Sequence, residues 1–169
     1  IQKYPSNLIA LAAPTGKAAF RMRESVLQTL KLIDLPDTTR QKIIDSAKAT
    51  TLHRLLGSRW GSVDFQRNKK NPLPCHLVVV DEASMIDLSL MAKLCDALRE
   101  ETKLVLIGDA DQLAPVHGGA VFNSLIRSSQ PNEFRAEDLP KMKTFSDSAE
   151  LSASKNIMAS SMIQLIKVH

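Results

Sequence analysis

Four aliphatic residues, Leu77-Val-Val-Val80, run without a polar interruption and stop at two adjacent carboxylates, Asp81-Glu82. Three of the four are β-branched. Such a run reads as a strand covered on both faces, as in a parallel sheet, which places Leu77 to Val80 in the middle of a core. Asp81 and Glu82 then fall at the carboxyl edge of that sheet, where open α/β sheets bind ligands. Two carboxylates there suit a hard cation such as Mg²⁺ and a polarised water. Taken alone, the run fits equally well with an acidic turn leading into a helix that begins near Asp87.

Two further runs repeat the pattern. Asn7–Ala13 is apolar and ends at Pro14-Thr-Gly-Lys17, and Lys103–Ile107 ends at Gly108-Asp109. Between them, Ala18, Ala19, Met22, Val26, Leu27 and Leu30 recur at helical spacing, as do apolar residues over Leu88–Leu98 and Ala120–Ile126. Asp37 or Thr38 is a candidate N-cap for a short helix reaching about Ala47, and Thr50–Leu56 reads as one or two helical turns closed by Gly57. Strands alternating with helices predict a parallel, doubly wound α/β sheet. Residues 57–74 break the pattern with Gly, Asn and Pro among Arg59, Arg67, Lys69 and Lys70, and predict a small hairpin inserted into the domain. Trp60 and Phe65 either stack bases or anchor that hairpin, and the sequence leaves both open. The expected domain spans 1–127, with 128–169 a poorly defined tail in which Met158–Val168 recovers some apolar pattern.

A chain of 169 residues with 44% hydrophobic and 24% charged residues is long enough for one packed domain. Its net charge of +4 permits a nucleic-acid partner without demanding one. Cys75 and Cys95 read as a buried, reduced pair in a cytoplasmic protein, and no apolar run approaches the ~18–20 residues that span a bilayer. The chain opens on Ile1 and enters a strand almost at once, which reads as a piece of something longer.

Pro14-Thr-Gly-Lys17 has the ending of a phosphate-binding loop, G-x-x-x-x-G-K-[ST], but not its body. Leu11 stands where the first glycine is required, and Ala18 replaces the hydroxyl residue after the lysine. A small P-loop kinase is therefore disfavoured. The remaining role is that Thr15, Lys17 and the helix start hold a backbone phosphate of nucleic acid. Asp109, Asp111 and Gln112 form a second acidic strand end, and Gln112 offers an amide to a phosphate oxygen or a water. His53, beside Leu52, Leu55 and Leu56, has the ordinary look of a structural histidine. His76 and His117 show no metal-ligand spacing with either cysteine.

Together, Asp81-Glu-Ala-Ser84, Ala13-Pro-Thr-Gly-Lys-Ala-Ala19, Thr51-Leu-His-Arg-Leu-Leu56 and Leu106-Ile-Gly-Asp-Ala-Asp-Gln-Leu-Ala-Pro115 resemble, in order, motif II (Walker B), motif Ia, the segment before the insertion, and motif III of the RecD family. These are superfamily 1 DNA helicases of exodeoxyribonuclease V that move 5′ to 3′, and the resemblance covers residues 7 to 126. It implies an incomplete RecA-like P-loop NTPase domain acting with ATP and Mg²⁺ on single-stranded and duplex DNA, beside other subunits of the complex and away from membranes. Residue by residue, it implies that Asp81 binds Mg²⁺ and Glu82 acts as base. Gln112 senses the γ-phosphate with Asp109 supporting the strand end. Pro14, Thr15, Lys17, Thr51 and His53 lie on the DNA side, and 57–74 supply a strand-separating pin. The family's P-loop would precede Ile1, so the chain alone is expected to be inactive, while Gln164–His169 looks like the approach to motif IV. A stand-alone RecD-like or relaxase-type helicase and a non-catalytic single-stranded DNA-binding module are the alternatives.

Overall fold

The computed structural model describes residues 9–46, 48–59, 61–62, 64–109, 111, 121–127, 133–134, 137–138 and 152–153. Two compact units divide the chain, Ile1–Val121 and Phe122–His169.

The first unit is built on four parallel strands: β1 (Ile9–Ala13), β2 (Ala49–Thr51), β3 (Leu77–Val80) and β4 (Lys103–Leu106), in the order β2-β1-β3-β4. Leu11 pairs with Ala49 on one side and Val79 on the other, and Val79 pairs with Val105. The three long apolar runs thus form parallel strands as expected. β2 corrects the sequence reading, because Thr50 and Thr51 are strand rather than helix. Three residues are too few to display a period, and β-branched threonines settle readily against β1.

α1 (Gly16–Leu32) covers one face, its Met22 and Val26 packing with Leu11 and Val79, and its Ala18 and Ala19 with Ala13. Ala12, Val78 and Val80 point to the other face and are fully buried. Burying a valine of this kind contributes roughly 1.5–3 kcal/mol. Leu77 and Val79 are only half-buried, so β3 alternates rather than sinking whole into the core. On β4 the departure is larger, since Val105 and the following Ile107 are exposed.

α2 (Asp37–Ser46) starts at Asp37 itself, so Asp37 lies in the first turn instead of capping it; Pro36 O accepts from the N–H groups of Thr39 and Arg40. Arg40 reaches back to the end of α1, its guanidinium donating to the carbonyls of Leu30, Ile33 and Leu35. A cation there satisfies helix-end carbonyls and complements the helix dipole. α3 (Leu52–Leu56) ends at Gly57, whose φ of 74° lets its N–H and that of Ser58 reach Arg54 O and His53 O. A Cβ at Gly57 would also stand 2.9 Å from that of Gln66.

The stretch after Gly57 folds back on itself. Ser58 bridges Phe65 antiparallel, the N–H groups of Gln66 and Arg67 donate to Gly57 O and Leu56 O, and Asn68–Asn71 closes a turn capped by the Asn68 side chain. Its far end is fixed where Leu73 N–H donates to Ala97 O at 2.8 Å. α4 (Leu88–Asp96) buries Leu90, Met91 and Leu94; Leu88 and Cys95, expected on the apolar face, are exposed. Leu98 lies beyond its end.

The second unit holds most of α5 (Val121–Arg127) and a parallel pair of two-residue strands, β5 (Glu133–Phe134) and β6 (Ser152–Ala153). The expected apolar stretch Met158–Val168, including the approach to motif IV, lies outside the described residues.

Candidate functional site

Because all four strands are parallel, their carboxyl ends open on one edge, and the loops after them share it. Across that edge stand Thr51 at the end of β2 with His53 beyond it, Pro14, Thr15 and Lys17 after β1, Asp81 and Glu82 after β3, and Asp109 after β4. The structure therefore gathers every described site residue expected from sequence. Gln112 lies outside the described residues.

The turn after β3 is the most constrained part of this edge. Asp81 N–H donates to Ala12 O at 3.0 Å, continuing the ladder one residue past the strand. The Asp81 Oδ1 then accepts the N–H of Glu82 at 2.8 Å. Glu82 adopts the left-handed conformation (φ 52°, ψ 39°), which costs a non-glycine residue roughly 1–2 kcal/mol. The next three residues hold the strain in place. Ala83 N–H donates to Ile107 O at 2.8 Å, and Met85 N–H to Glu82 O at 3.0 Å, in a 3₁₀ turn over Ala83–Met85. The turn after β3 is thus bonded directly to the chain leaving β4. Strain of this kind persists where surrounding structure over-determines it, and functional sites are where it collects.

Three acidic residues in this turn have divided roles. Asp87 is the N-cap of α4, its Oδ1 accepting from Leu90 N–H at 2.7 Å. Asp81 and Glu82 are half-buried, and neither is paired with a cationic side chain among the described residues. Asp81 keeps its second carboxylate oxygen for another partner, and Glu82 keeps its whole carboxylate. Two unneutralised carboxylates at a partly dry strand end fit a Mg²⁺ ion with its waters.

Thr15 and Thr51 are both N-caps, their hydroxyls accepting from Ala18 N–H (3.2 Å) and Arg54 N–H (3.3 Å). Each hydroxyl accepts there, so its proton remains to be donated outward. Lys17, in the first turn of α1, is exposed on the same edge. His53 is exposed as well, with its ring 5.8 Å from that of Phe65 and tilted by 59°. Phe65 thus touches α3 from the excursion, a contact consistent with the anchoring role. Asp109 is exposed, and its Oδ1 accepts from Asp111 N–H at 3.0 Å in a local turn.

Two features escaped the sequence reading. One is Ser84, 4% exposed, whose Oγ has no hydrogen-bond partner among the described residues. It lies within the Asp-Glu-Ala-Ser motif, but nothing in residue type or spacing reveals its burial. The other is a groove between the excursion and α4 lined by Arg67, Lys69, Lys70 and Lys93 with Asp64 and Asp96, across which Lys93 pairs with Asp64 at 3.5 Å.

A four-stranded parallel sheet with helices packed on it and carboxylates at its carboxyl edge is an open α/β domain of the class that binds ligands at that edge. The family model described as an AAA domain matches residues 1–118, and the chain belongs to that family. It is 48% identical over 122 residues to the RecBCD enzyme subunit RecD of Mycobacterium tuberculosis, an alignment covering 72% of this chain and 20% of that protein. It is 45% identical over 119 residues to the same subunit from Haemophilus influenzae, covering 69% and 19%. It is 36% identical over 121 residues to the ATP-dependent RecD2 DNA helicase of Deinococcus radiodurans, covering 72% and 14%. The chain spans about a fifth or less of the length of these relatives.

Proposed function

We propose that these residues form part of the first motor domain of an ATP-dependent 5′-to-3′ DNA helicase, the RecD-type subunit of an exodeoxyribonuclease V complex working in the cytoplasm on recombination and repair. The observation carrying this reading is the strained Asp81–Glu82 turn, its carboxylates unpaired at the edge the parallel strands share. When bound, Mg²⁺ with ATP supplies a charge-neutralised γ-phosphoryl group open to attack by water. Asp81 would hold the cation through the oxygen its Glu82 N–H bond leaves over. That same bond fixes Glu82, whose carboxylate would take the proton of the attacking water. Gln112 would sense the γ-phosphate, with Asp109 shaping the strand end beside it.

Pro14, Thr15, Lys17, Thr51 and His53 would carry single-stranded DNA along the neighbouring loops, through the threonine hydroxyl protons and the lysine charge. The excursion at 57–74 would be the strand-separating pin, seated on that track by the His53–Phe65 contact. The 36% identity to a RecD2 helicase supports a second reading, a RecD-like motor acting outside the complex.

The 169 residues contain no G-x-x-x-x-G-K-[ST]. Purified alone, this chain is therefore expected to turn over ATP negligibly. In the full-length protein, Glu82→Gln is expected to abolish DNA-stimulated hydrolysis while Mg²⁺-dependent ATP binding survives. Unchanged turnover in that variant would refute the assignment.

A further inference from the structure

Ser84 is buried to 4% exposure and its hydroxyl has no partner among the described residues, between Ala83 (0% exposed) and a turn that leads to Ile86 (1% exposed). The N–H groups flanking it are taken: those of Ala83, Met85 and Ile86 donate to Ile107 O, Glu82 O and Ala83 O. The hydroxyl is thus a buried group without a partner in a turn whose flanking N–H groups are bonded. A buried hydroxyl without a partner lowers stability relative to alanine, which would leave the same shape less one oxygen. Buried polar groups in folded proteins overwhelmingly have partners, so an orphan asks for a reason, such as an ion or water that arrives with a ligand. Its position supplies one. Ser84 is two residues past Glu82, inside the turn that holds Glu82 left-handed.

We propose that Ser84 is a positioning residue of the nucleotide site: its hydroxyl, unpaired without ligand, gains a partner when Mg²⁺ and nucleotide bind, and so locks the Asp81–Glu82 turn. This rests on the ATPase reading above. The test uses the full-length protein with Ser84→Ala, Ser84→Cys and Glu82→Gln. Thermal midpoints are measured with and without Mg²⁺ and a non-hydrolysable ATP analogue, and kcat and KM for ATP with single-stranded DNA.

Without nucleotide, Ser84→Ala is expected to melt higher than the parent. Its further upward shift on adding Mg²⁺ and the analogue should be smaller than the parent's, because only the parent gains the bond on binding. Its KM for ATP should rise, because the bond gained on binding is lost, and its kcat should fall as the turn is held less firmly; Ser84→Cys, a weak donor of similar shape, should lie between. A Ser84→Ala protein that melts lower than or level with the parent, or fails to fold, overturns the proposal. So does one that melts higher yet keeps the parental nucleotide shift and turnover. Should Glu82→Gln retain turnover, the ATPase reading fails by itself, and the melting comparison still decides Ser84.

Discussion

The two edges of the sheet are built to different standards. At the amino edge the described joints into β3 and β4 are conventional. Lys103 N–H donates to His76 O and Leu73 N–H to Ala97 O, both at 2.8 Å, while the Thr102 hydroxyl donates to Cys75 O, also at 2.8 Å, across 27 positions of sequence. At the carboxyl edge, one residue past equally regular strands, the chain holds a left-handed glutamate, and among the described residues two carboxylates without a cationic partner and a hydroxyl without a hydrogen-bond partner. One edge closes the fold; the other departs from local rules within four consecutive residues. The difference teaches where to look for chemistry, since departures of this kind survive where function retains them.

The largest expected effect separates the edges outright. Glu82→Gln should lower DNA-stimulated ATP turnover of the full-length protein by roughly 10²–10⁴-fold, the usual range for removing a general base. Thr102→Val should leave turnover alone and instead cost about 1 kcal/mol in denaturant unfolding, the net worth of an ordinary hydrogen bond. Loss of turnover in the Thr102 variant would break the comparison. A finer test runs the other way. Glu82→Asn puts a residue tolerant of positive φ into the strained position. It should raise stability by up to about 1 kcal/mol while abolishing turnover, and a loss of stability would show that the turn is not strained.

The smallest effect concerns the amino edge alone. Burial pushes the Cys75 thiol up, against a smaller lowering by Arg99 and Arg67. Because its folded value is raised, the thiol's contribution is fully present below the unfolded value and lost as pH climbs through the folded one. The unfolding midpoint should therefore sag in the alkaline range, less so in Cys75→Ala. Cys75 should react with a disulfide reagent only there, since the thiolate is the nucleophile. Cys95 is exposed as a residue, yet partial desolvation of its thiol, and then Asp96, raise it as well, so Cys95→Ala belongs in both measurements.

Much of the architecture could be read from residues because its elements are long or strongly patterned. The apolar runs ending at Ala13, Val80 and Leu106 announce β1, β3 and β4, and the spacing from Ala18 to Leu30 announces α1. Parallel pairing then carries the site, since it puts the ends of these strands on one edge whatever the details. The unreadable part was local and conformational. β2 is too short to have a period. Leu77 and Val79 look identical in type to Val78 and Val80, and only packing separates half-buried from buried. Glu82 gives no hint of positive φ, because glutamate lacks the short side chain that makes asparagine or aspartate suspect there. Thr15 and Thr51 could be named as candidates from their motifs, but their capping bonds emerge only once the helix starts are fixed.

The Asn68–Asn71 turn has a further consequence. The excursion is fastened near Gly57 by backbone bonds to α3 and near Leu73 by the bond to Ala97, while Lys69 and Lys70 between the asparagines are exposed. Residues added there would lengthen the excursion and leave both fastenings as they are, as exposed polar turn tips generally permit. The fold thus has a place to grow: a reporter, a tag or a longer arm can enter at this tip without touching the sheet or its working edge.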